Sequence, residues 1–126
     1  MRQIIMLGGL LLLAACGSQP GNGSDARSTG DPLAAIRAAI VARNYGDAVQ
    51  LAQQAVTAHP GDAAAQYQLA RAEALTGNQG KALDALDAAV RAGLADPATA
   101  LADPAFDIIR GGERFAAIEE IGRAHV

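Results

Sequence analysis

An internal repeat constrains this chain more than any other feature. Shifting the sequence by 34 residues superposes the turn-like triplet at Asn44 on the one at Asn78, each with a glycine two residues later. Further identities under the same shift are Arg37 with Arg71, Ala38 with Ala72, Ala48 with Ala82, Ala55 with Ala89, Val56 with Val90 and Ala58 with Ala92. Alanine-rich helices can coincide by chance at many offsets, but matching turns favour a true repeat. Repeating units bury their apolar faces by stacking on one another, so the sequence predicts a stack of similar elements.

Proline and glycine mark the ends of the predicted helices. A carboxylate followed by proline is typical of a helix start, because the proline needs no N–H at the first helical position. Three such pairs occur, Asp31-Pro32, Asp96-Pro97 and Asp103-Pro104. Glycine in the left-handed conformation often ends a helix, and Gly77, Gly93 and Gly111 follow periodic segments. Together with the abundant alanine, the best helix former, these signals predict an all-α fold with close, thin helix interfaces.

The repeat resembles the tetratricopeptide family, whose helix–turn–helix unit has the same length. The segment NYGDAVQLAQQAVTAHPGD, from Asn44 to Asp62, is similar to the second helix and exit turn of that family. The second unit keeps Leu69-Ala70 and Leu86 at family positions. The departures are Pro32 and Gln66 at the opening aromatic position, Ala52 in place of a large residue, and Leu94 in place of the closing proline. The resemblance implies a helical-hairpin solenoid of about two units over residues 31–94.

The C-terminal tail is similar to the segment that often closes such a repeat stack. Residues 95–126 are therefore expected to form capping helices that cover the apolar face of the second unit. The residues expected to cap the stack are Phe106, Ile108, Ile109, Phe115, Ile118 and Ile121.

The N-terminus has the three-part layout of a secretory signal in residues 1–15, and its apolar run is too short to span a membrane. The quartet Leu13-Ala14-Ala15-Cys16 resembles the lipobox of bacterial lipoproteins, which implies acylation of Cys16. The alternative is an ordinary signal in which Cys16 occurs by chance. Residues 16–30, rich in glycine and serine, would form the lipidated N-terminus and a flexible tether. Gly17-Ser18 after the cysteine favours the outer membrane by resemblance, with the domain facing the periplasm.

Composition and residue spacing give no indication of catalysis. The net charge of −3 and the lack of a Lys/Arg-rich run argue against nucleic-acid binding. His59 and His125 are far apart and are expected to be exposed, without metal-ligand spacing. Carboxylate pairs such as Asp84 and Asp87 fit a solvated helix face. We therefore expect no enzyme activity, no cofactor and no metal.

The candidate binding residues are Arg37, Tyr67 and Arg71. In tetratricopeptide arrays the first helix of each unit lines the concave groove, and the resemblance places these residues there. Two guanidinium groups on one face could hold a carboxylate or an acidic peptide, with Tyr67 as an amphipathic contact. The alternative is that the arginines only solubilise an alanine-rich helix.

The expected function is a lipid-anchored, periplasmic protein-interaction module, an adaptor or assembly factor of the cell envelope. Its partners would be the bilayer, through acylated Cys16, and another envelope protein or peptide. The alternative is a structural or stress-related envelope accessory that self-associates, for instance as a homodimer, without a dedicated peptide ligand.

Overall fold

The computed structural model describes residues 31–124, and these residues form helices joined by short turns. The helices are α1 (Pro32–Val41), α2 (Tyr45–Ala58), α3 (Ala63–Leu75), α4 (Gln79–Arg91), α5 (Pro97–Leu101), the 3-10 helix η1 (Pro104–Phe106) and α6 (Glu113–Ala124). None of the described residues lies in a strand. The all-α prediction is confirmed. Cys16 and His125 lie outside the described residues.

The three Asp-Pro helix starts are confirmed. In each case the carboxylate accepts a hydrogen bond from a backbone N–H of the first turn, which would otherwise have no partner. The bonds join Asp31 to Leu33 N at 2.9 Å, Asp96 to Thr99 N at 3.4 Å and Asp103 to Ala105 N at 2.8 Å.

The turns of the two repeat units have the same backbone geometry. We call α1 and α2 the first hairpin, and α3 and α4 the second hairpin. The left-handed turn residue is Arg43 in the first hairpin, with φ 64°, and Gly77 in the second, with φ 90°. The matching hydrogen bonds run from Arg43 N to Ile40 O and from Gly77 N to Ala74 O, both at 3.0 Å, and from Asn44 N to Ala39 O and from Asn78 N to Glu73 O, both at 2.9 Å. The 34-residue repeat is thus a repeat of structure.

Of the two remaining glycine predictions, one is confirmed and one is wrong. Gly93 is left-handed at the end of α4, as predicted. The prediction for Gly111 is wrong, because this residue follows a run of turns after η1 instead of a helix and has no positive φ.

The hairpins stack in chain order, and the C-terminal helices cover the second one. Each of the first three helices packs against the next, and α1 also contacts α3. We call residues 97–124, with α5, η1 and α6, the cap. The cap reaches the second hairpin at two places, since η1 packs on α3 and α6 packs on α4. This arrangement is a helical-hairpin solenoid.

The core has two apolar clusters of different composition. The cluster around the first hairpin is mostly alanine and contains Ile36, Ile40, Ala48, Ala52, Ala55, Ala65 and Ala72. The cluster between the second hairpin and the cap contains larger side chains, among them Leu86, Val90, Leu101, Phe106, Ile109, Phe115 and Ile118.

The predicted capping residues are confirmed with one exception. Phe106, Ile109, Phe115 and Ile118 are buried, and Ile121 packs against them. The prediction is wrong for Ile108, which is 50% exposed. The turn between η1 and α6 directs Ile109 into the core, and its neighbour Ile108 points outward.

Candidate functional site

Tyr67 and Arg71 lie one turn apart on α3, and both meet Asp103 at the start of η1. The hydroxyl oxygen of Tyr67 lies 3.0 Å from the carbonyl oxygen of Ala100 and 3.2 Å from Oδ2 of Asp103. Nε of Arg71 lies 3.0 Å from the same Oδ2 atom. Two of the candidate binding residues are therefore engaged by the protein's own cap.

Asp103 uses its two carboxylate oxygens for different tasks. Oδ1 accepts the N–H of Ala105 and so starts η1, while Oδ2 faces α3. The side chains of Arg71 and Asp103 are both about four-fifths buried, which strengthens their attraction relative to a surface pair. One carboxylate thus begins the 3-10 helix and joins it to the second hairpin.

The contact between Arg71 and Asp103 is an ion pair whose hydrogen bonding is incomplete. The Nε–H of Arg71 is not aimed at the carboxylate well enough to count as a hydrogen bond. A second nitrogen, Nη1, donates to Oε1 of Gln68 at 3.0 Å, and Gln68 is itself buried. The guanidinium is therefore held by Asp103 on one side and by Gln68 on the other.

The environment of Tyr67 favours its neutral form. Burial is the main cause, and the nearby negative charge of Asp103 adds to it, so that the pKa of the phenol rises to about 12 in spite of the opposing charge of Arg71. The ring also packs edge-on against Phe106, with centroids 5.7 Å apart. Tyr67 is consequently a neutral hydrogen-bond donor and a packing residue at this site.

Arg37 has a different environment on α1. Its Nη2 atom lies 3.3 Å from Oδ2 of Asp31, and its side chain is 48% exposed. Arg37 and Arg71 occupy equivalent repeat positions, but each is paired with its own carboxylate. The structure does not bring Arg37 to the cluster formed by Tyr67, Arg71 and Asp103.

Sequence reasoning missed Arg110 as a second connector within the cap. Its Nη1 and Nη2 atoms donate to the carbonyl oxygens of Leu101 at 2.7 Å and Asp103 at 2.9 Å. Its guanidinium also lies 5.3 Å from the ring centre of Phe115. The sequence also does not reveal the second role of Asp103, because the pair Asp103-Pro104 indicates only a helix start. The signal was that a capping carboxylate has a second oxygen free to bind elsewhere.

Within residues 31–124, no group of three His, Cys, Asp or Glu side chains could hold a metal ion. No helix in the same range is both long and apolar enough to cross a membrane. His59 is exposed, as predicted.

The fold is an all-α stack of helical hairpins. At the candidate site, Tyr67 and Arg71 of the second hairpin contact the carboxylate of Asp103. This architecture is compatible with a tetratricopeptide-like fold. No protein-family model, curated protein or solved structure matches the chain.

Proposed function

We propose that this protein is a membrane-anchored periplasmic interaction module, an adaptor or assembly factor of the cell envelope built from two tetratricopeptide units. The role needs no catalytic group and no cofactor. The observation that carries the proposal is the contact of Arg71 with Asp103 at 3.0 Å. This contact is an intramolecular example of an acidic residue bound by an arginine at the repeat position that Arg71 shares with Arg37.

Arg37 offers the same chemistry to an external partner. It lies at the equivalent position of the first hairpin, and its side chain is half exposed. Its present partner, Asp31, is also about half exposed. A surface ion pair of this kind contributes only about 0–1 kcal/mol, so an incoming carboxylate can displace Asp31 at little cost. The ligand that fits is an acidic segment of another envelope protein.

The binding proposal is tested by charge reversal at Arg37 in the membrane-bound protein. A photo-crosslinking residue at an exposed neighbour, Ala38, should capture a specific partner, and R37E should reduce the yield about tenfold. The matched control is R91E on α4, which reverses the charge of an even more exposed arginine that is also paired with an aspartate. Equal losses for the two variants, or no loss for R37E, would contradict recognition through Arg37.

The anchor is a separate part of the proposal. The lipobox-like quartet ending at Cys16 would provide acyl chains, and residues 16–30 a tether, on an outer membrane with the domain facing the periplasm. Two or three acyl chains hold a protein stably on a bilayer. The substitution C16S should move the protein from the membrane fraction to the soluble fraction and remove the acyl mass from its N-terminal peptide. Unchanged membrane retention of C16S would refute the anchor.

A second candidate function, self-association, is favoured by the exposure of Val41. This apolar side chain at the end of α1 is 83% exposed. Light scattering on residues 31–126 should then show a dimer that V41D converts to a monomer. A monomer in both cases would leave the adaptor as the better account.

A further inference from the structure

Glu73 is a buried carboxylate for which the repeat gives no structural reason. It is 2% exposed on α3, and its Oε2 atom has no hydrogen-bond partner. Gln68 on the same helix is also buried, but its Oε1 atom accepts a hydrogen bond from Arg71. The residue equivalent to Glu73 in the first hairpin is Ala39, so this position of the fold does not require a charge. Because burying an unpaired carboxylate is costly, Glu73 needs a partner.

A cleft of about 250 Å³ lies beside Glu73, between α2, α3 and α4. It is lined by Gln53, Gln66, Leu69, Glu73, Lys81, Asp84 and Ala85. One of these lining side chains, Gln66, donates to the carbonyl oxygen of Pro60 at 3.4 Å. Gln66 occupies the position at which the tetratricopeptide family has the aromatic residue that opens each unit. The cleft therefore lies where this aromatic side chain is absent, and it is open to solvent.

The groups around this cleft are suited to a primary ammonium ion. The carboxylates of Glu73 and Asp84 and the amide oxygen of Gln53 are hydrogen-bond acceptors, and an ammonium group has three N–H donors. A calcium or magnesium ion needs about six oxygen ligands, and no group of three acidic or histidine side chains in the described part of the chain is placed to provide them. At about 30 Å³ per water molecule, the cleft has room for a short alkyl chain behind the ammonium group.

A side chain of the protein itself, Lys81, can compete with an amine ligand for Glu73. Lys81 lines the same cleft but, among the described residues, forms no ion pair within 4.0 Å. Its flexible stem lets its ammonium group approach or leave Glu73. Asp84 is held at the rim by Arg114, at 2.7 Å. Glu73 is thus the acceptor that is still available to a ligand.

We propose that the cleft between α2, α3 and α4 binds the ammonium group of a short alkylamine, with Glu73 as the carboxylate that receives it. The shared chemistry is a primary alkylammonium, which a free amine or a lysine side chain of a partner protein can supply. Binding uses N–H donors, so a quaternary ammonium of the same length is excluded. This site is separate from the acidic-segment site at Arg37.

The test is a titration of the full chain, purified in a nonionic detergent, with n-butylamine at neutral pH, followed by NMR of the backbone amides. Saturable shifts should centre on α3 and α4 near Glu73, and butyltrimethylammonium should cause none. E73Q keeps the shape of the side chain and removes its charge, and it should weaken binding about tenfold or more because a charge-assisted hydrogen bond is lost. K81Q should tighten binding, since it removes the competing ammonium.

The matched control is D87N, which removes one negative charge from α4 outside the cleft, where Asp87 pairs with Arg91. It should leave the affinity unchanged. Absence of saturable shifts, equal binding by E73Q, or equal weakening by D87N would overturn the proposal. The two sources of the ammonium group are separated by repeating the titration with a short lysine-containing peptide. Tighter binding of the peptide indicates a partner's lysine, and tighter binding of the amine indicates a free ligand.

Discussion

The two hairpins have the same backbone and different surroundings. Their turns share two equivalent backbone hydrogen bonds, yet the first hairpin packs around alanine, and the second packs around leucine, valine and the phenylalanines of the cap. The arginine at the equivalent position is half exposed in the first hairpin and mostly buried against Asp103 in the second. The repeat determines the path of the chain, and the cap determines which copy is fixed and which remains accessible.

The two hairpins also differ in how much buried apolar surface and how many exposed binding groups they have. Larger buried side chains remove more apolar area from water, so the second hairpin contributes more to the free energy of unfolding. The first hairpin has its arginine and Val41 exposed to solvent. The proposed acidic-segment site at Arg37 therefore lies on the first hairpin, whereas the larger buried core belongs to the second.

Exchanging the residue types at two equivalent core positions should change the free energy of unfolding most. Leu86 and Ala52 are both completely buried. L86A makes the second hairpin like the first and should lower the free energy of unfolding by about 2–5 kcal/mol, through lost apolar contact and a residual cavity. A52L should also destabilise, by about 1–3 kcal/mol, because the first hairpin is packed tightly around alanine. Urea denaturation measures both, and a stabilising A52L would mean that the first core has unfilled space.

Separating the cap from the second hairpin should have the next largest effect. D103A removes the acceptor for Ala105 N and the partner of Arg71 at once. A lost cap and a lost partly buried charge-assisted contact together amount to about 2–3 kcal/mol. D31A is the matched control, since Asp31 also caps a helix and pairs with an arginine, but at an exposed place. Its cost should be about 1 kcal/mol. Equal costs in thermal denaturation would contradict the difference between the hairpins.

Tyr67 should make the attachment of the cap sensitive to alkaline pH. Its pKa rises from 10.0 to about 12 on folding, so the folded state favours the neutral phenol. The resulting stabilisation is complete below pH 10 and is lost as the pH rises to 12; for this half-buried group it is about 1 kcal/mol after solvent screening. Urea midpoints measured between pH 8 and pH 12 should fall more steeply for the wild type than for Y67F. Parallel curves would show that Tyr67 does not contribute.

Substitutions in the hairpin turns should change the free energy of unfolding least. Arg43 has the left-handed conformation that Gly77 has in the second hairpin. R43G should stabilise the protein by about 0.5–1 kcal/mol, because glycine adopts this conformation without steric cost. G77A should destabilise it by about 1 kcal/mol for the same reason, although no atom lies within 4 Å of the added methyl group. Differential scanning calorimetry of both variants checks the signs, and a destabilising R43G would show that the arginine side chain is needed at the turn.

Much of the fold could be predicted from the sequence, because its signals are local. The Asp-Pro starts, the Asn turns and Gly77 act within a few residues of their own positions. The contacts of Asp103 with Tyr67 and Arg71 could not be predicted, since they join residues more than 30 apart and depend on how η1 packs on α3. Likewise, no local rule distinguishes the exposed Ile108 from the buried Ile109. The unusual charge of Glu73 could be recognised from the repeat, because the equivalent residue of the first hairpin is Ala39.

The most direct test of the account is native-state hydrogen exchange, residue by residue, across both hairpins. The account predicts that the amides of α3 and α4 exchange only through openings close to global unfolding, while those of α1 and α2 exchange through a smaller, partial opening. D103A should lower the protection of α3 and α4 toward that of the first hairpin. Protection of α1 equal to that of α3 in the wild type would contradict the claim that the cap fixes one hairpin and leaves the other free.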